Sequence, residues 1–262
     1  MNGSTVRAAD QCIYCGAKGC YLSKEHVLAL ALGGKQVLHR ASCPEHAQIT
    51  SELERRVARG TYGFQRAIDG VATRRSKQRA DFLAERVRAC GVNHAGEEVS
   101  TQVPRSQTPR MPIASTFPVP GLLAGRSPEE EATVGMETNL DTDQSSRVMR
   151  SLGWKEILWH SPGMNARDVA RVLAKTAHAF AWYELGGAEF VPLLLPLIVR
   201  DEGSCTYWVG GFEPRRSQLK TPVALREIDV SGTTYLIADI SMMALPHLPL
   251  YQVVVGLPGK AT

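Results

Sequence analysis

No apolar run in this sequence is long enough to cross a bilayer. The longest, 190–199, is interrupted by Pro192 and Pro196 and is about half of the ~20 residues that a spanning helix needs. The opening Met-Asn-Gly-Ser-Thr-Val-Arg has no apolar signal core, so a protein kept in a reduced, cytoplasmic setting is expected. Internal repeats are absent too, which removes solenoids and propellers from the candidate folds. With 44% hydrophobic and 21% charged residues, the chain has the composition of a soluble globular protein of one large or two ordinary domains.

Cysteine is sparse, six in 262 residues, and three of the six fall with one histidine into two pairs of the same spacing. Cys12-Ile-Tyr-Cys15-Gly16 places two sulfurs two residues apart, and Cys43-Pro-Glu-His46 repeats the spacing with a sulfur and an imidazole. Together they make a four-ligand tetrahedral set of the kind that closed structural zinc sites use. Gly16 is free to take the positive φ of a tight knuckle, and Pro44 suits the first position of a helix. Cys43 and His46, at i and i+3, then share one side of its first turn. Cys20 is an alternative candidate for a ligand, whereas Cys90 and Cys205 read as small buried hydrophobes.

Between the pairs, Glu25-His26 lies in a strand-like run from Tyr21 to Leu32, and Gly33-Gly34 supplies a hairpin turn. This arrangement resembles the zinc-stapled branch of the HNH endonucleases, over roughly residues 10–60. The resemblance implies a treble-clef-like ββα-metal finger held by Zn²⁺. It also implies that His26 is the general base and Glu25 a ligand of a catalytic Mg²⁺ or Mn²⁺. An imidazole with an ordinary pKa near 6.5 can deprotonate water at neutral pH, and a carboxylate can hold a hard cation against a scissile phosphate. The implied activity is hydrolysis of DNA phosphodiester bonds, as in bacterial or phage genome-defence proteins, with RNA also open as a substrate.

Two positions depart from the family pattern. His46 replaces the last thiolate of the second knuckle, which zinc accepts. Ala47 stands where many relatives carry an Asn that completes the catalytic metal's shell. Gln48, Thr50 and Ser51 are near enough on the helix to substitute, whereas Glu54, seven residues along, must lean back. His39 is the nearest polar candidate for the middle letter of the motif. A second reading therefore stays open, a zinc-stapled nucleic-acid-binding protein whose catalytic shell has decayed.

The net charge of +4 is unevenly spread. Residues 1–90 hold 15 Lys/Arg against 8 Asp/Glu, and residues 91–262 hold 15 against 18. The excess near the motif marks Lys24, Arg55, Arg56, Arg59, Arg74, Arg75, Lys77 and Arg79 as candidate phosphate contacts.

Along the chain, 44–59 is helical with Ile49, Leu53 and Val57 as its core face, and Gly60 is expected to stop it. A short helix follows at 63–71. The stretch 77–90 fits helix or strand, and a hairpin is preferred across Asn93–Gly96. The Pro-rich segment 104–133 carries Ile113, Phe117 and Leu122, which suit a packed loop. A strand is expected at 155–159, then the best helix in the chain at 165–184 and a short buried helix at 192–199. Strands follow at 206–210, 222–230, 233–241 and 250–255. The resulting fold class is α+β, with the finger in 1–80, a hairpin and connector in 81–133, and an accessory α+β domain with a small antiparallel sheet in 134–262. Trp154, Trp159, Trp182, His178, Met242 and Met243 read as its core residues.

Overall fold

The computed structural model describes residues 7–71, 76–109, 113–138, 140–159, 164–187, 189–211, 221–243 and 248–259. Two-residue strand β1 (Arg7–Ala8) lies parallel to β3 (Val37–Ser42), and β2 (Ser23–His26) pairs antiparallel with β3 on its other side. The strand anticipated over 21–32 is thus only four residues long. Val27, Leu28, Ala29 and Leu32 are all buried, and consecutive apolar residues cannot all face one side of a sheet. The chain instead folds them inward through a 3-10 turn, Leu30–Leu32, capped by Gly33 at φ 92°. Gly34 is required for packing, because a Cβ there would meet the carbonyl oxygen of Leu28 at 1.9 Å. The Gly-Gly pair therefore closes a 3-10 turn rather than a two-residue hairpin.

Helix α1 (Pro44–Arg56) starts where the spacing places it, with Pro44 in its first turn and Cys43 at the N-cap. It does not stop at Gly60. A π turn, Val57–Thr61, leads into α2 (Gly63–Ile68), because Val57, Ala58, Thr61 and Tyr62 are all buried and the wider turn keeps them facing the core.

Helix α3 (Ser76–Ala84) is followed by the hairpin β4 (Arg86–Asn93) and β5 (Glu98–Pro104). The side-chain oxygen of Asn93 accepts from the backbone N–H of Ala95 and Glu97, and Gly96 takes φ 84°, which makes the turn. Within the connector β6 (Ile113–Thr116) pairs with β7 (Gly135–Thr138) just beyond it, and Ile113, Phe117 and Leu122 are buried as a packed loop requires. After α4 (Thr142–Leu152), strand β8 (Trp154–Leu158) joins the free edge of β4 and packs Trp154 on Ala89 and Val103.

Helix α5 (Ala166–Glu184) is capped by Asn165, whose side chain accepts from the N–H of Asp168. It lies against a five-stranded antiparallel sheet. Its strands are β9 (Phe190–Pro192), then β10 (Val209–Gly210) after the short helix α6 (Cys205–Trp208), then β11 (Val223–Val230), β12 (Thr233–Ile240) and β13 (Tyr251–Pro258). The expected helix at 192–199 is a π turn, Pro196–Arg200. The expected strand at 206–210 begins as helix, because Ser204 caps Tyr207 N–H. Ser231 and Gly232, at φ 52° and 81°, form the two-residue turn between β11 and β12.

The protein is thus a mixed α/β structure with small sheets. One apolar core runs from Cys12, Leu28, Leu38 and Leu53 near the N-terminus through Val172, Leu173 and Ala177 of α5 to Val253 and Val255 of β13. Ala114 and Phe117 from the 104–133 segment belong to it as well. Among the described residues, no helix is long and apolar enough to cross a membrane.

Candidate metal centre

Cys12, Cys15, Cys43 and His46 converge. Their sulfurs and one imidazole nitrogen all lie within 4.8 Å of one another, and Cys43 Sγ is 3.1 Å from His46 Nδ1. A tetrahedral zinc with Zn–S near ~2.3 Å separates its ligand atoms by roughly 3.5–4 Å, so the donor set fits an ion such as zinc. Burial raises the Cys12 thiol, yet backbone N–H groups of Cys43, Tyr14 and Cys15 point at the sulfur and bring it below the ordinary thiol value. Those donors come from the knuckle, where Gly16 takes φ 73°, and from the start of α1. Cys20 is exposed and stands outside the group.

The C-terminal half forms the wall behind this centre. Tyr14 stacks on His46 with ring centroids 5.6 Å apart and also lies against His178 of α5. His178 is fully buried and donates from Nε2 to the carbonyl of Ile13 at 2.8 Å. Burial pulls its pKa down to about 4, so the ring is neutral in the folded protein. The ordinary value is near 6.5, so the unfolded chain binds a proton that the folded chain refuses until about pH 4. The stabilisation is therefore complete above about pH 6.5 and is lost as pH falls through 4, a change of about 3 kcal/mol. Urea melts of the zinc-loaded protein between pH 7 and 4 are expected to show a shallower loss for His178→Gln, which keeps a donor for Ile13 without the titration. Parallel slopes would refute it.

Glu25 and His26 occupy neighbouring positions on β2, paired with Leu38 and Val37. Alternation sends Glu25 inward, 5% exposed, and leaves His26 half-buried. The Glu25 carboxylate has a different partner from the expected metal. Lys175 Nζ of α5 lies 2.6 Å from Glu25 Oε1 and 2.6 Å from Glu54 Oε1. It also donates to the carbonyl of His26 and lies 3.5 Å from that of Val27. Burial alone pulls the Lys175 pKa down, but the two carboxylates outweigh it and hold the ammonium at about 12. Burial, followed by the charges of Glu25 and Glu54, pushes the neighbouring Tyr14 hydroxyl well above the tyrosine range.

Glu54 therefore does reach Glu25's position, through a shared cation. The other helix candidates do not turn toward it. Thr50 Oγ1 is tied to the carbonyl of His46, Ser51 Oγ to that of Gln48, Gln48 is exposed, and Ala47 brings no donor. His39 faces solvent from β3.

The basic candidates divide. Lys24 and Arg59 are exposed. Arg55 makes a two-pronged pair with Glu52, at 2.6 and 2.7 Å, and Arg56 makes one with Asp168 of α5, both bonds 2.9 Å. Arg79 donates to the carbonyls of Ala67 and Ile68 at the end of α2. Arg74, Arg75 and the Lys77 side chain lie outside the described residues.

Sequence reasoning missed Lys175 as a site residue, and placed His178 only as core. The available signal was a lysine in the middle of the strongest helix in the chain, close in sequence to Val172, Leu173, Ala174 and Ala177. Asp168 through Ala181 are all buried, and a charge there needs a partner. No family model matches the chain, and no curated protein or solved structure matches it either.

Proposed function

We propose that this chain is an HNH-type phosphodiesterase acting on nucleic acid, with DNA as the favoured substrate, in a reducing cellular compartment. The observation that carries the reading is the order β2, β3, α1 around the Cys3His centre, with Glu25-His26 on β2, the first of these elements. In this reading His26 takes the proton from the attacking water, and Lys24 and Arg59 help hold the backbone phosphates. Bacterial or phage genome defence is the biological setting that the resemblance implies.

The resemblance also implies Mg²⁺ or Mn²⁺ on Glu25, and the residues as folded do not fit that ion. An ammonium fills the space between Glu25 and Glu54, and Ala47 offers no ligand. The same observation favours a second reading, a zinc-stapled protein that binds nucleic acid without cutting it.

Plasmid nicking and RNA cleavage in Mg²⁺, Mn²⁺ and chelator separate the two. Under the enzyme reading, His26→Ala keeps its zinc and its DNA affinity and loses about 10²-fold or more in cleavage rate, the usual size of a general-base contribution. A wild-type protein that binds but never cuts in any condition leaves the binding reading in possession.

A further inference from the structure

Lys175 is fully buried, and four oxygens converge on its ammonium. They are Glu25 Oε1, Glu54 Oε1 and the main-chain carbonyls of His26 and Val27. Two carboxylates and two carbonyls on one point make the all-oxygen donor set that hard divalent cations use. The two carboxylate oxygens are each 2.6 Å from Nζ, so they stand no more than twice that distance apart. A single small cation can bridge a gap of that size. Three of the four oxygens come from the end of β2 and the loop that follows it, and the fourth from the last turns of α1. The lysine comes from 148–150 residues further along the chain.

The geometry points to Lys175 as a built-in counter-ion: its ammonium fills a hard-cation seat formed by Glu25, Glu54 and the His26 and Val27 carbonyls, so that the folded chain accepts no divalent ion there. The inference rests on this geometry and goes beyond the enzyme reading, since the seat is the same whether or not the finger cuts. The surroundings agree with it. The Lys175 side chain is flanked along α5 by Val172, Leu173, Ala174 and Ala179, all fully buried, so no water competes for the ammonium from the helix side. Two negative charges face one positive charge, which leaves a net attraction for a cation once the lysine is removed.

The test is Mn²⁺ binding to the zinc-loaded full chain, followed by the electron paramagnetic resonance signal of free Mn²⁺, together with thermal melts with and without Mn²⁺. Wild-type protein is expected to take up no Mn²⁺ at this position and to melt at the same temperature in its presence. Lys175→Ala is expected to bind one Mn²⁺ per chain and to melt several degrees higher in millimolar Mn²⁺ than in chelator-free buffer without it. Adding Glu54→Gln to Lys175→Ala is expected to remove both effects. Uptake of Mn²⁺ by the wild type equal to that of Lys175→Ala would overturn the inference, because the lysine would then not be holding the seat. A Lys175→Ala protein indifferent to Mn²⁺ would overturn it as well. So would one that fails to fold with or without the ion while Lys175→Met/Glu25→Gln/Glu54→Gln folds. DNA cleavage is a separate readout: Mn²⁺ uptake by Lys175→Ala without nicking by any form leaves the seat standing and removes the enzyme reading. Nicking by the wild type with no Mn²⁺ uptake by Lys175→Ala does the reverse.

Discussion

Cys43→Ser is expected to lose the zinc and, with it, the cooperative fold of far more than the segment around the Cys/His centre. Apparent zinc affinities of closed structural sites are worth about 10–16 kcal/mol in small peptides at neutral pH, while an entire domain is stable by only about 5–15 kcal/mol. Cys43 is both a ligand and the N-cap of α1, and its side chain makes no capping hydrogen bond, so Cys43→Ser removes a metal donor while leaving a residue able to cap the helix. Tyr14 stands between the metal centre and His178, and Leu28, Leu38 and Leu53 share one core with α5. Loss of far-ultraviolet helical signal, measured beside zinc content, is expected to include α5 as well as α1. A Cys43→Ser protein that keeps one zinc per chain and an unchanged urea midpoint would show that the quartet is misassigned.

The second large effect is expected at Lys175. Lys175→Met removes the partner of two carboxylates, of which Glu25 is 5% exposed, and breaking a buried pair from one side costs about 3–5 kcal/mol. Burial and the neighbouring Glu54 already raise the Glu25 pKa against the pull of Lys175, so the lone carboxyl group in the variant takes up a proton readily. Stability of Lys175→Met is therefore expected to recover at mildly acidic pH, where the wild type gains nothing comparable. Replacing all three charges at once, as Lys175→Met/Glu25→Leu/Glu54→Leu, is expected to restore most of the loss, because apolar groups of similar size need no counter-charge. Urea midpoints of the single and triple variants test this directly. A single variant as stable as wild type would mean that the pair contributes nothing to the fold.

The parts of this architecture that the sequence makes legible are those whose cause lies within a few residues. The Cys-x-x-Cys and Cys-x-x-His spacings place four donors by local turns, and the structure brings all four together. Pro44 marks the start of α1, Asn165 the start of α5, and Ser231-Gly232 the turn between β11 and β12. The parts that were not legible depend on what packs from afar. Val27 to Leu32 reads as strand by composition, yet the core claims its side chains in succession and bends the backbone into a 3-10 turn. Gly60 reads as a stop, yet the buried Val57, Ala58 and Thr61 carry the helix past it in a π turn. Arg56 reads as a phosphate contact, and Asp168, distant in sequence, already holds its guanidinium. Glu25 shows the same limit most sharply, since its partner lies on a helix that no local pattern connects to β2.

The contact between Lys175 and Glu54 spans 121 residues, and that between Lys175 and His26 spans 149. At synthesis rates of about 5–20 residues per second, roughly 6–30 s separate the appearance of these N-terminal residues from the appearance of the lysine. During that interval the nascent N-terminal segment carries Glu25 and Glu54 without their ammonium, and Leu28, Leu38 and Leu53 without α5. The ribosome-bound N-terminal segment thus differs in charge from the same segment in the finished chain, where the ammonium of Lys175 stands between Glu25 and Glu54. The order of synthesis therefore sets the earliest time at which Glu25 and Glu54 can meet their ammonium.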